Sequence, residues 1–407
     1  MKSSPGKPPP DLNIPSSPST VTVRVIDSTT TLHLDPPLFW TPAIQGLSGI
    51  SAPALCFLIS HHHHGAQPQH VLFDLGVRRD WTNSAPATVD LITRTTTVRV
   101  EKNIAEILDS ASSSSCSSLP RSTDISTLIW SHPHFDHAGD PSTFPATASL
   151  LVGPGVINAC WPGYPTNPHA MVLDSDIAGR TVTEIDFSPS ADGACTIGGF
   201  NAVDYFRDGS FYLLDAPGHC VGHICALARV TSASASAAAS PTGNTDSFIF
   251  MGGDAAHHPG LLRPSIYLPL PETPILIPTP SSMKHDCPAP PPGSDANQAP
   301  GVEDSTYCNY LTTITRDRLE QIHPRHSIDE PFLQPARGMF PAYEDALATL
   351  RKIQALDAAE NVLVVLPHDR AMAEHLALFP REANGWLGTG VKERTRWVFV
   401  GDFVGGS

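Results

Sequence analysis

Ser126-Thr127-Leu128-Ile129-Trp130-Ser131-His132-Pro133-His134-Phe135-Asp136-His137 runs from an apolar, β-prone stretch straight into four side chains able to ligate a metal. Zinc takes imidazole nitrogen and carboxylate oxygen at ~2.0–2.2 Å, so several ligands must converge on one point. In an extended segment alternate side chains share a face, which lets His132 and His134 meet one ion. Pro133 fixes φ and lacks an N–H, which keeps the segment out of a helix. Asp136 and His137 come just after the chain turns and can serve a second ion. Four hydrophilic residues clustered behind an apolar strand have little packing use, so the motif reads as a metal site.

Three later segments repeat the pattern of a ligand type directly after a strand. They are Leu213-Leu214-Asp215-Ala216-Pro217-Gly218-His219, Phe248-Ile249-Phe250-Met251-Gly252-Gly253-Asp254 and Val362 to His368. A lone His after a strand is more often a capping or core residue, but in this order behind H-x-H-x-D-H the three complete a ligand set. Cys220 beside His219 reads as a small packing residue, and His223 as a structural hydrogen-bonding one.

Working outward, β-branched and aromatic runs predict strands at 21–26, 54–60, 70–74, 148–152, 181–185, 210–214, 224–230, 247–251 and 361–366, with a terminal one at 397–400. The second and third form a hairpin with a wide loop, where His61 to His64 read as solvated residues. Leu347, Leu350, Ile353 and Leu356 recur at helical spacing within 342–358, and a short helix is expected over 371–378. Residues 1–20, rich in Pro and Ser, read as a disordered arm. Residues 21–407 read as one α/β domain, because the candidate ligands span 132 to 368 and separate domains would divide them. A Pro-rich insertion occupies about 259–301, and Arg263, Tyr267 and Trp161 fall in loops able to roof a pocket.

The 407 residues carry a formal net charge of −15, and no basic stripe offsets it, which speaks against nucleic acid as a partner. No stretch approaches the ~20 apolar residues of a membrane span. The first residues lack the apolar run of a secretory signal. Eight cysteines without a C-x-x-C pair suit reduced thiols. A cytoplasmic enzyme with a small-molecule substrate is the expectation, its oligomeric state open.

Together these segments resemble the metallo-β-lactamase superfamily, whose pattern is H-x-H-x-D-H, then G-H-x-x-G-H, then G-G-D or similar, then a late His. The resemblance covers roughly 21–400 and includes Phe73-Asp74-Leu75-Gly76 in place of the usual D-T-G. It implies a four-layer αβ/βα sandwich with two metal ions, expected to be zinc although iron and manganese accept the same ligands. His132, His134 and His219 would hold the first ion and Asp136, His137 and His368 the second, with Asp254 between them and Asp74 orienting the ligand loop from behind. True zinc β-lactamases lack the final His of the first motif and carry Cys in place of Asp254, so the chain resembles the lactonase and glyoxalase II side. Bacterial acyl-homoserine lactonases place a substrate-positioning Tyr where this chain has His257, a candidate substrate contact. The implied chemistry is attack by a metal-bridging hydroxide on the carbonyl of a lactone or related cyclic ester or lactam, with Asp136 orienting it and passing its proton on. Alternatives are a thioesterase of the glyoxalase II or polyketide-releasing type and a mononuclear iron thiol dioxygenase. A non-catalytic binding module fits poorly, since all seven ligands are present.

Overall fold

A computed structural model describes residues 6–62, 67–113, 119–234, 245–278 and 311–404. Two six-stranded sheets follow one another along the chain. The first holds β1 (Val21–Asp27), β2 (Leu55–His61), β3 (Gln69–Phe73), β4 (Ile125–Ile129), β5 (Ser149–Val152) and β6 (Val182–Glu184), in that spatial order. The second holds β7 (Ala194–Ile197), β8 (Phe200–Asp204), β9 (Phe211–Asp215), β10 (Ile224–Thr231), β11 (Ser247–Met251) and β12 (Val362–Val365), again in order. β1, β2 and β3 pair antiparallel, with Phe57 opposite Phe73 in the expected hairpin. From β3 to β6 the pairing is parallel, which requires crossovers, and helices Pro86–Thr95 and Ile104–Ser112 supply the first of them. The second sheet is antiparallel until β12, which lies parallel to β11.

Side-chain alternation in the strands builds the layers. Phe57, Ile59, Val71 and Phe73 of the first sheet share one core with Leu213, Ala226, Ile249, Met251 and Val365 of the second. The opposite faces are buried too. Cys56, Leu58, Leu72 and Leu128 pack with Ile104 and Leu108 of a helix. Phe200, Tyr212, Phe250 and Val364 pack with Leu350, Ile353 and Leu356 of helix Tyr343–Ala358. Strands apolar on both faces need cover on both, and the result is the expected four-layer αβ/βα sandwich. Among the described residues no helix is long and apolar enough to cross a membrane.

Several expectations change. Residues 6–20, expected within a disordered arm, lie against the second sheet's side of the molecule. Leu12 is buried there and its carbonyl accepts the Gly198 N–H at 2.7 Å, while Arg229 donates to the Pro15 carbonyl and Ser17 Oγ to that of Asp208. Apolar burial and satisfied carbonyls offset the ordering entropy that the Pro/Ser composition alone would leave uncompensated.

His61 is not a solvated loop residue: it ends β2, buried, with Nε2 2.7 Å from Asp208 Oδ2 and its ring stacked on Phe206 at 4.0 Å. His62 is exposed, and His63 and His64 lie outside the described residues. Residues 397–400 form no strand. Val398–Val400 is a 3₁₀ turn leading into helix Gly401–Val404, because Phe399 and Phe403, four apart, fall on one face against Phe332. Of the Pro-rich insertion, 259–278 are described and end in a ribbon pairing Ile275–Pro278 with Leu311–Ile314, whereas 279–301 lie outside the described residues.

Candidate metal centre

Four chain segments arrive at one edge of the sandwich. β4 ends at Ile129, and after Trp130 and Ser131 the extended His132-Pro133-His134 leads into the one-turn helix Phe135–Ala138. His134, at φ −71° and ψ 153°, begins that helix, so Asp136 and His137 swing to the other side of the cluster. His219 follows β9 through Gly218, whose φ of 135° brings the backbone against Ala346; a Cβ there would lie 2.4 Å from the Ala346 Cα. Asp254 follows β11 through Gly253 at φ 47°, where a Cβ would lie 2.7 Å from His223 Nε2. His368 follows β12 and is anchored by a 2.7 Å hydrogen bond from Nδ1 to the Pro53 carbonyl.

All seven expected ligands meet here, in two groups. His132, His134 and His219 form one, with Cys220 beside them; Asp136, His137, Asp254 and His368 form the other. Within the first group His134 Nδ1 and His219 Nε2 are 3.0 Å apart. Asp254 faces both: Oδ2 lies 3.6 Å from the Nε2 atoms of His132 and His219, and Oδ1 lies 3.0 Å from His137 Nε2 and 3.2 Å from His368 Nε2. Asp136 Oδ2 is 3.5 Å from His368 Nε2 and 3.7 Å from His137 Nε2. Ligands ~2.0–2.1 Å from a common tetrahedral ion stand about 3.3 Å apart, the spacing seen here.

Buried polar atoms at the centre lack partners, as the ligand atoms of a cation would. His132 Nε2, His137 Nε2, His368 Nε2 and Asp254 Oδ1 are buried and make no hydrogen bond. Such atoms are costly unless something satisfies them, and divalent cations suit this donor set. The outward-facing Nδ1 atoms of His132, His137 and His368 are engaged, which fixes those three tautomers, whereas His219 Nδ1 is buried without a partner. His137 Nδ1 donates to Asp74 Oδ2 at 2.8 Å. His132 Nδ1 lies 2.9 Å from Ser131 Oγ, which donates to the same Asp74 oxygen at 2.8 Å, and the Ser131 N–H reaches Asp74 Oδ1 at 2.6 Å. Asp74 therefore stands behind one histidine of each group. His223 sits outside the ligand set: Nδ1 donates to the Ala216 carbonyl and Nε2 accepts the Asp254 N–H, each at 2.9 Å.

Electrostatics divide the groups. Burial, reinforced by neighbouring imidazoles, holds His132 and His219 well below the ordinary histidine value, and burial lowers His134 too. Burial also pulls on His137 and His368, but Asp254 and Asp136 outweigh it and raise both. Asp254 is held well below the carboxylate range, since His137, His257 and His368 outweigh its burial.

His257 lies in the same cluster, with Nε2 3.0 Å from Asp254 Oδ2, Nδ1 without a partner, and its ring on Phe39 at 4.6 Å. Ser131 and the Pro53 carbonyl escaped the sequence reading; adjacency to His132 is the only hint of the first, and nothing local marks the second. Cys220, read as packing, places its sulfur within 4.8 Å of the ligand atoms of its group, and burial pushes its thiol up. Arg263 does not roof the site: it is buried in a bidentate pair with Asp357 at 2.8 and 2.7 Å. Trp161 stacks on Trp130 at 5.8 Å instead.

No family model matches the chain. It is 48% identical over 398 residues to metallo-hydrolase mfmC of Annulohypoxylon moriforme, covering 98% of this chain and 91% of that one. It is 36% identical over 403 residues to the γ-lactamase FDB1 of Fusarium pseudograminearum, covering 97% and 86%. To the cytochrome P450 monooxygenase mpaDE of Penicillium brevicompactum it is 45% identical over 394 residues, but the chain spans only 39% of that protein's length. A solved N-acyl homoserine lactone hydrolase, with N-hexanoyl-L-homoserine at its catalytic metal centre, superposes with a TM-score of 0.48 at 14% identity, covering 89% of this chain and 99% of that one.

Proposed function

The chain belongs to the metallo-β-lactamase superfamily and is a metal-dependent hydrolase; on that footing we propose that it holds two metal ions, zinc first among them, and opens the ring of a lactone or lactam. The observation that carries this reading is Asp254, with one carboxylate oxygen toward each histidine group. A site for a single ion would not need both oxygens flanked by unpartnered imidazole nitrogens. The ligands are then His132, His134 and His219 for one ion, Asp136, His137 and His368 for the other, and Asp254 between them. The chemistry such ions supply when bound is a hydroxide at neutral pH and polarisation of the scissile carbonyl.

The protein's own part is positioning. Asp74 and Ser131 hold two imidazoles with Nε2 turned inward, and Pro53 does so for His368. Asp136, at the rim of the second group, is the carboxylate that orients the attacking water and carries its proton to the departing alkoxide or amide nitrogen. His257, bound to Asp254 through Nε2, keeps Nδ1 for the substrate. A cyclic amide or ester is favoured over a thioester by the γ-lactamase relative.

Hydrolysis of a panel of γ-lactams, γ-lactones and glutathione thioesters by zinc-loaded protein tests the reading. Ring opening that falls by on the order of 10²-fold or more in Asp136→Asn is expected. Turnover confined to thioesters, or oxygen uptake with a thiol by iron-loaded protein, would overturn it.

A further inference from the structure

Among the candidate ligands only His134 is half-exposed; His132, Asp136, His137, His219, Asp254 and His368 are buried. The most accessible ligand thus marks the His134 side as the approach, where a cleft of about 350 Å³ opens with His134 and Cys220 in its wall. Its other walls are mainly apolar, with Leu91, Val156, Met171, Val172 and Val221; Thr88, Asn167 and His169 are the further polar members, and no Lys, Arg, Asp or Glu lines it. Met171 and Val221 are two of the six large apolar side chains left exposed among the described residues, at 45% and 55%. Exposed apolar surface rimming a concave site marks a place where an apolar group is meant to bind.

The cleft is built to keep its shape. Gly153 and Gly222 bring the two wall loops into backbone contact, since a Cβ on Gly153 would lie 1.8 Å from the Gly222 carbonyl oxygen. Thr88 Oγ1 donates to the Met171 carbonyl at 2.5 Å and ties helix Pro86–Thr95 to the facing wall. Trp161 Nε1 donates to the Leu173 carbonyl at 3.2 Å.

We propose that this cleft is the specificity pocket, and that it takes an uncharged, fused two-ring aromatic group carried by the lactam or lactone. The inference rests on the hydrolase reading above and adds the substrate class to it. Size decides the ring count: an apolar protein cavity of ~150 Å³ holds one benzene, so about 350 Å³ holds two fused rings. Lining decides the charge: with no Lys or Arg in the walls, there is no permanent cation to hold the carboxylates of glutathione or the phosphate of a carrier-protein arm. The Met171 thioether supplies the kind of sulfur contact that aromatic edges favour.

The test compares 5-(2-naphthyl)pyrrolidin-2-one with unsubstituted pyrrolidin-2-one, using zinc-loaded full-length protein, Leu91→Trp and Met171→Glu. Leu91 is half-buried and Met171 exposed, so the two substitutions fill or charge the cleft with little burden on folding, which metal content and circular dichroism check. Expected is a kcat/KM ratio favouring the naphthyl lactam by on the order of tenfold or more, carried mainly in KM, and collapsing toward one in both variants. Hydrolysis of both lactams with a ratio near one, unchanged in the variants, overturns the pocket and leaves the hydrolase reading standing. If neither lactam is hydrolysed, but calorimetry shows the naphthyl lactam binding the wild type and neither variant, the pocket stands and the lactam reading falls. Absence of binding to the wild type overturns the pocket.

Discussion

Replacing Asp74 by Asn removes one charge and almost no volume, and it tests how the two ligand groups are held. Asp74 receives three donors: the Ser131 N–H, Ser131 Oγ and His137 Nδ1. Its φ of 63° is one that Asn also tolerates, so the backbone has no reason to move. Asn offers one oxygen, and its amide must face either the Ser131 N–H or His137 Nδ1. In the second case His137 carries its proton on Nε2, and the nitrogen needed by an ion is blocked. Loss of a partner of this kind behind a metal-bound histidine costs 10- to 100-fold in metal affinity, about 1.4 to 2.8 kcal/mol. The loss should fall chiefly on the ion proposed for Asp136, His137 and His368, because His132 still has Ser131 Oγ. Competition against a chromophoric chelator resolves the two binding steps, with unfolding in excess chelator as the control for the metal-free fold. Both steps within twofold of wild type, in a folded variant, would refute the reasoning.

Other outcomes follow from buried charge and close packing. Asp357→Asn strands the Arg263 guanidinium, which also donates to the Arg396 carbonyl, and should cost about 3–5 kcal/mol in urea unfolding. Arg263→Met with Asp357→Leu should cost less than that single change, and a single-variant loss under about 1 kcal/mol would contradict the pair's importance. Gly153→Ala should lower the melting temperature by the equivalent of about 3 kcal/mol or more, while Gly338→Ala, with nothing within 4 Å, leaves it unchanged; equal melting points for the two would be the contrary result. Burial raises Asp176 from 3.8 to about 6. The folded state then binds the extra proton between those values, so this group's contribution to stability falls as pH rises through the window. Stability of Asp176→Asn relative to wild type should accordingly rise by at most about 3 kcal/mol from pH 3.8 to 6, and a flat difference would show that the carboxyl is not so buried.

What the sequence made legible was local. His132, His134, Asp136 and His137 lie within six residues, and His219, Asp254 and His368 each follow a strand within four residues, so chemistry and position could be read together. The ends of β4, β9, β11 and β12 converge because the two sheets place those strands toward one edge, and only the family pattern anticipated that. The misreadings share a cause. His61 looked like one of four loop histidines, but its partners Asp208 and Phe206 lie far along the chain. Arg263 looked like a loop cation until Asp357, 94 residues on, claimed it. Pro- and Ser-rich composition argued for a free N-terminal arm, yet Leu12 is buried against the core beside Gly198, a contact that no local pattern announces. Ser131 and the Pro53 carbonyl act through geometry rather than residue type, so composition and spacing are silent about them.

Metal stoichiometry tests the central claim most directly. Untagged protein, loaded with zinc and dialysed, should hold about two ions per chain by elemental analysis, and Asp254→Ala should lose both with its activity while staying folded. One ion per chain in the wild type, or two ions retained by Asp254→Ala, would contradict a centre built around that shared carboxylate.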